Sequence, residues 1–163
     1  MELEGVRLEV PASAPVMMLR EQAGRRRLLP IYIGGPEAAA IHYALEGIEP
    51  ARPLTHDLLK NVLDELTTSL DRVVVTEVRD RTYYAELHLV NAAGAHTVSS
   101  RPSDAIALAV RTQTPIFAEE SLLDEVGQEQ EEVEPGEEGD EDELLEDFRD
   151  FIENVKPEDF GGT

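Results

Sequence analysis

The sequence has no cysteine and no tryptophan, and only 5% of its 163 residues are aromatic. Without cysteine there are no disulfides, thiolate zinc sites or cysteine nucleophiles, which suits a reducing compartment. Long apolar runs are also missing, since a membrane helix needs about 20 apolar residues in succession. The opening stretch MELEGVRLEV has neither the basic start nor the apolar centre of a signal peptide. We therefore expect a cytoplasmic, single-domain protein with no membrane partner.

Basic residues are scarce and unevenly distributed. The formal net charge is -21; residues 1–118 contain 15 acidic and 12 basic residues, whereas residues 119–163 contain 20 acidic and 2 basic ones. This distribution predicts a nearly neutral domain followed by an acidic tail. Because affinity for DNA or RNA depends on cations that neutralise phosphates, the charge disfavours nucleic acid as a partner. A basic protein is a better electrostatic match for the tail.

The hydrophobic pattern changes period several times along the first 126 residues. Alternating or short apolar runs predict strands at 2–10, 16–20, 27–33, 72–78, 83–90, 95–99 and 114–118, the first interrupted near Gly5 and the third carrying Pro30 at an edge or bulge. Helical spacing predicts helices at about 36–46, 55–66 and 102–112. We expect an α+β domain over residues 1–126, with a mixed, mainly antiparallel sheet and about three packed helices.

The acidic tail divides into two segments. Residues 127–143 form a low-complexity acidic linker, which is too poor in apolar residues to fold and is expected to be disordered. Residues 144–163 are predicted to carry a short amphipathic helix, with Leu144, Leu145, Phe148, Phe151, Ile152 and Val155 at helical spacing. The tail either keeps the protein soluble, docks on the domain and blocks its site, or recruits a basic partner.

The three predicted helices begin alike, with GGPE, THD and PSD each placing an acid in the first turn. Each start alone is typical of ordinary capping, with Thr55 and Ser103 as the expected cap residues. Together, converging starts would surround an anion with free N–H groups and with the chemistry that phosphate hydrolysis needs. On that hypothesis the catalytic residues are Glu37, His56, Asp57 and Asp104, and the substrate-binding residues are Arg52, Arg101 and Ser103.

The remaining polar residues give weaker signals. A divalent cation could bind Asp57 and Asp104, but no histidine has ligand spacing to a second one, so the metal ligands stay undefined. His42 and His88 are expected on solvated faces. The basic run at residues 25–27 could grip a phosphate backbone, but such a run is more often a solvated turn.

Three motifs in fixed order carry a family resemblance: LPIYIGGPEAAAIHYALEG, RPLTHDLL and SRPSDAIALAVRTQTPIFAEE. Over roughly residues 1–125 the chain resembles the bifunctional nuclease domain family, and its acidic end is similar to the extension of actinobacterial members. The resemblance implies a compact mixed α/β domain, a homodimer and nuclease activity on DNA or RNA. His42 also occupies a motif position. The alternative is a non-enzymatic regulatory or protein-interaction domain whose motifs mainly build the fold.

Overall fold

The computed structural model describes residues 1–9 and 14–129, and within them the chain forms seven strands and four helices. These elements confirm the predicted α+β class. The predicted helix at 144–163 and most of the predicted linker at 127–143 lie outside the described residues. Gln128 is described, and its backbone pairs with Leu28 through two hydrogen bonds of 2.8 Å. Backbone pairing with the domain therefore extends into the segment that we expected to be linker.

The first sheet is an antiparallel meander in the order β1-β2-β3, formed by β1 (Glu2–Glu9), β2 (Ala14–Arg20) and β3 (Leu28–Tyr32). The predicted interruption is a bulge, because the register shifts between Leu3 and Gly5 and Gly5 has φ 140°. Pro30 lies on β3, at the edge of the sheet, where a strand without one N–H donor is tolerated.

The second sheet has the order β6-β5-β4-β7, so the strands form two sheets and not the single sheet expected. Its members are β4 (Ser69–Arg79), β5 (Thr82–Asn91), β6 (Gly94–Ser100) and β7 (Ile116–Ala118). β7 is parallel to β4 while the other pairs are antiparallel, as a mixed sheet requires. One hydrophobic core joins the two sheets, with Met17 and Leu29 from the first and Val73 and Val75 from the second.

The helices are α1 (Gly35–Leu45), α2 (Thr55–Glu65), α3 (Pro102–Thr112) and α4 (Glu120–Val126). α3 is central: it packs against α1, α2, β4 and β5, and every residue from Ala105 to Ala109 is buried. Alanines on α1 and α3 leave little side-chain bulk between these helices, so their backbones can approach closely. This packing brings the first turns of α1, α2 and α3 close to one another. No helix in the described ranges is long and apolar enough to cross a bilayer.

α2 differs from the other helices because most of its apolar stripe faces solvent. Helical spacing in the sequence predicts this stripe at Leu58, Leu59, Val62, Leu63 and Leu66. Leu54, Leu58, Val62 and Leu66, which we call the α2 ridge, are 39%, 55%, 43% and 66% exposed. Of the stripe, Leu63 packs against the core as a partly buried side chain. The periodicity therefore predicted the helix correctly, but it did not predict burial of this face.

The basic run at residues 25–27 is not a uniformly solvated turn. The Arg27 side chain is 3% exposed and forms salt bridges to Glu21 at 3.0 Å, Glu120 at 2.7 Å and Asp124 at 2.8 Å. Arg25 is exposed and lies 3.4 Å from Asp124. Arg27 therefore ties α4 to the turn between β2 and β3, and its charge is already balanced without a phosphate.

Candidate active site

The centre of the site is Arg101, the residue at the N-cap position of α3. Its Nε lies 2.6 Å from Asp104 Oδ2, and its Nη2 lies 3.0 Å from Asp104 Oδ1. The same Nη2 donates to Glu37 Oε1 at 2.9 Å, although these residues are 64 positions apart. Arg101 thereby joins the first turns of α1 and α3.

His56, in the first turn of α2, completes this group. Its Nε2 lies 3.0 Å from Asp104 Oδ1, and the residue is only 8% exposed. The structure thus brings together Glu37, His56, Arg101 and Asp104, which we call the helix-start cluster. Three helix starts meet as the hypothesis required, and four of the seven predicted site residues are directly connected.

The carboxylate at the centre of the cluster is held in its charged form. Partial burial alone would raise the pKa of Asp104, but the hydrogen bonds and charges of Arg101 and His56 outweigh it, so the pKa of Asp104 lies below its usual value. The hydrogen bond to Asp104 in turn raises the pKa of Arg101. With two carboxylates and one guanidinium, the cluster has a formal charge of about -1 when His56 is neutral. An incoming phosphate must therefore compete for Arg101.

Asp57 lies outside the helix-start cluster, although it is adjacent to His56 in sequence. One carboxylate oxygen accepts from Arg111 Nε at 2.6 Å, and the other accepts from the Leu54 N–H at 2.9 Å. Burial by itself would raise the pKa of Asp57. The hydrogen bonds from Arg111 and Leu54 outweigh burial, so the pKa of Asp57 lies below its usual value. Both oxygens are engaged in fixing the start of α2, which indicates a structural role.

Sequence reasoning predicted two helix caps wrongly. The N-cap positions of α2 and α3 are Leu54 and Arg101, and neither helix has a side-chain cap bond from Thr55 or Ser103. Ser103 is 6% exposed in the first turn of α3, and its hydroxyl forms no hydrogen bond with a described residue. Arg52 is exposed before α2 and makes no ion pair within the described ranges.

Two residues that support the site were not singled out from sequence. Arg111, whose side chain is 7% exposed, anchors Asp57 from the last turn of α3. Gly34 lies under the Glu37 carboxylate: a Cβ placed on it would be 2.2 Å from Oε2. Both belong to the motifs quoted above, but their roles depend on partners distant in sequence or on close packing that a pattern does not contain.

The expected divalent cation does not fit the observed donor set. Among residues 1–9 and 14–129, no three His, Asp or Glu side chains are grouped so that they could hold a metal ion. The carboxylates of Asp57 and Asp104 are both occupied by arginine, which competes directly with a cation. We therefore do not assign Asp57 and Asp104 as metal ligands.

A cavity of about 330 Å³ lies beside the site, next to the C-terminal halves of α2 and α3. Lys60, Asp64, Thr68 and Arg111 contribute to its walls, and none of the residues of the helix-start cluster lines it. Arg111 therefore borders the cavity and anchors Asp57, the neighbour of His56. The cavity and the helix-start cluster are separate features.

Comparison with known proteins agrees with the three motifs. Residues 17–131 match the model of the bifunctional nuclease domain, which covers more than half of the chain. This chain belongs to the bifunctional nuclease domain family. All four residues of the helix-start cluster lie within the part that matches the family.

The chain is similar to a mycobacterial protein and to plant proteins. An uncharacterized protein of Mycobacterium tuberculosis is 41% identical over 164 residues, covering 98% of this chain and 96% of its own length. Bifunctional nuclease 2 of Oryza sativa subsp. japonica is 34% identical and Bifunctional nuclease 1 of Arabidopsis thaliana is 31% identical, each over 69% of this chain. The matched regions span only 36% of each plant protein.

Proposed function

We propose that the helix-start cluster hydrolyses phosphodiester bonds in DNA or RNA. One observation carries the proposal: the 65% exposed side chain of Arg101 is linked directly to Asp104, which holds the nearly buried His56. A phosphate-binding cation, a carboxylate and a candidate base are therefore within hydrogen-bond distance of one another. The names of the plant relatives support the nuclease class.

In this proposal Arg101 exchanges its carboxylate partners for the phosphate of the substrate. Arginine binds phosphate oxygens in a fixed fork geometry, and the free N–H groups at the starts of α1 and α3 favour an anion at the same place. Ser103, in the first turn of α3, and the exposed Arg52, before α2, are the further donors to the substrate in this proposal. Glu37, released by Arg101, accepts a hydrogen bond from the attacking water.

His56 acts as the general base. When Asp104 accepts a hydrogen bond from Nε2–H, the neutral ring carries its proton there and Nδ1 is the basic nitrogen. Nδ1 takes a proton from the water as the water oxygen attacks phosphorus and the bond to the leaving oxygen breaks. The leaving oxygen takes a proton from solvent, and His56 then releases its own proton to solvent, so the step balances. Asp104 is a positioning residue that sets the tautomer and stabilises the charged ring.

The direct test is turnover by the full chain on single-stranded DNA, duplex DNA and RNA, with Mg²⁺ and with a chelator. We expect cleavage by the wild type and a loss of about 100-fold or more in kcat for His56→Ala. His88→Ala is the matched control, because His88 lies on β5 beside Glu86 at 3.2 Å, outside the cluster. Folding of each variant is checked by circular dichroism. A folded His56→Ala protein with wild-type turnover would remove His56 from the mechanism.

The second candidate is a non-enzymatic interaction domain, and the net charge of -21 favours it because such a charge repels nucleic acid. It predicts no turnover by the wild type on any of these substrates, with or without Mg²⁺. It also predicts that binding of a basic protein or a homodimer contact persists in the His56→Ala variant.

A further inference from the structure

Exposed apolar side chains are concentrated between residues 45 and 66, on the α2 ridge and close to it in sequence. Leu45 and Ile48, from the end of α1 and the turn after it, are each 47% exposed, and Leu59 is 37% exposed. Together with the ridge they account for seven of the exposed large apolar side chains in the described chain. The α2 ridge, with four exposed apolar side chains along one helix, is typical of an interaction site, because leaving such a surface in water is unfavourable.

The same chain contains a second apolar face, at residues 144–155. Its sequence, LLEDFRDFIENV, repeats apolar residues at helical spacing, with two of the four phenylalanines of the protein at positions 148 and 151. As a helix, this segment would be roughly 17 Å long, against roughly 18 Å from Leu54 to Leu66 along α2. The two faces therefore match in length and in apolar character.

The position of the last described residues allows the two faces to meet within one chain. Gln128 is paired with Leu28 on β3, and Glu129 lies 3.6 Å from Arg25, so the tail starts from a fixed place on the domain. From residue 129 to residue 144 an extended chain reaches roughly 50 Å at about 3.4 Å per residue. A domain of this size has a diameter of only roughly 36 Å. A path over the surface to the opposite pole is roughly 57 Å, so the segment can reach most of the surface of its own domain.

We propose that residues 144–155 dock through their apolar side chains onto the α2 ridge of the same chain. The tether gives the segment an effective concentration on the order of millimolar at the ridge, well above that of a second copy at micromolar protein. This proposal does not depend on the nuclease function.

Cross-linking tests the proposal cleanly because the chain has no cysteine of its own. In the full chain, Val62→Cys is combined with Phe151→Cys and oxidised at about 10 µM protein. The control pairs Thr97→Cys, on the exposed strand β6, with the same Phe151→Cys. We expect an intramolecular disulfide that forms at least about tenfold faster than in the control pair, at a rate independent of protein concentration. Peptide mapping identifies the linked residues.

Two results would overturn the proposal. Rapid covalent dimer formation by the single Val62→Cys variant, without the intramolecular link in the double variant, would assign the ridge to a second copy. Equal rates in the test and control pairs would show that the segment does not dock there.

Limited trypsin digestion gives an independent measurement on chains without added cysteines. Residues 130–163 contain one trypsin site, Arg149 inside the segment, because the other basic residue, Lys156, is followed by Pro157 and trypsin does not cleave a Lys–Pro bond. Val62→Asp should speed cleavage at Arg149 by about tenfold, since a charge on the ridge opposes apolar docking, while Thr97→Asp should leave it unchanged. Equal cleavage rates in wild type and Val62→Asp would contradict docking.

Discussion

Replacing Asp104 by asparagine tests the core of the proposed mechanism with little change in shape. Asp104 accepts two hydrogen bonds from Arg101, at 2.6 and 3.0 Å, and lies 3.0 Å from Nε2 of His56. Asparagine keeps one acceptor oxygen but loses the charge and introduces an N–H₂ group. The guanidinium then has one full carboxylate partner, Glu37, and the tautomer of His56 is no longer fixed.

The cost in stability follows from the exposure of these groups. Since the Arg101 side chain is 65% exposed, its ion pair with Asp104 is screened and contributes about 0–1 kcal/mol. The favourable position of an acid in the first turn of α3 adds about 0.3–1 kcal/mol. We expect Asp104→Asn to lower the free energy of unfolding by about 0.3–2 kcal/mol, which corresponds to a fall in Tm of roughly 1–8 °C.

The pH dependence of this loss has a defined sign. The pKa of Asp104 is lower in the folded protein than in the unfolded chain, where an aspartate titrates near about 3.9. Its stabilising contribution is therefore complete above about pH 5 and is lost as the pH falls below the unfolded value. The difference in urea midpoint between wild type and Asp104→Asn should be largest at pH 7 and should shrink below pH 4.

Turnover decides whether Asp104 acts on the chemistry or only on the fold. With His56 as base, kcat of the folded Asp104→Asn variant should fall by about 100-fold or more. KM should fall by about two- to fivefold, as for Glu37→Gln, because a competitor of the substrate for Arg101 is lost. The matched control is Asp71→Asn, because Asp71 pairs with Arg72 at 2.9 Å on the exposed surface of β4. Wild-type turnover in Asp104→Asn, with its pH profile unchanged, would refute the reasoning.

Three further substitutions separate binding, stability and geometry. Glu37→Gln removes a competitor for Arg101 and should lower KM for nucleic acid by about two- to fivefold in steady-state kinetics, whereas a rise in KM would contradict the proposed exchange. Asp57→Asn should lower the free energy of unfolding by about 1–3 kcal/mol in urea titration, because it weakens the partner of the nearly buried Arg111; a larger effect on kcat than on stability would argue for catalysis. Gly34→Ala should fold normally, since the φ of -76° at Gly34 suits alanine. The added Cβ should displace the Glu37 carboxylate and so reproduce the KM change of Glu37→Gln. An unchanged KM would show that the carboxylate has room to adjust.

Local chemistry explains which parts of the fold were predictable from sequence. Gly34 and Pro36 before an alanine-rich run predict a helix start, because proline lacks an N–H that the first turn does not need. The bulge at Gly5 and the edge position of Pro30 follow from equally local backbone properties. The division of the strands between two sheets depends on long-range pairing, such as that of β7 with β4, which local patterns do not contain.

The roles of the site residues also depend on contacts between residues that are distant in sequence. Asp57 and Asp104 are both acids in a first turn, and the visible local difference is Arg101 three positions before Asp104, where Asp57 has Leu54. Their roles separate through partners about fifty positions away, since Arg111 holds Asp57 and His56 meets Asp104. Likewise, the spacing of the apolar residues on α2 predicts a face, but whether another element covers that face is decided by tertiary packing.

The ion pairs of Arg27 also determine how late in synthesis the domain can finish folding. Asp124 lies 97 positions after Arg27 and Glu120 lies 93 positions after it. At about 5–20 residues per second of synthesis, the guanidinium waits roughly 5–20 s for these partners to leave the ribosome. Until then Glu21 is the one partner of Arg27, out of three, that has already been synthesised. β3 also lacks the backbone pairing that Gln128 later provides. The seven-residue helix α4 thus makes completion of the nascent domain depend on the last residues of that domain to be translated.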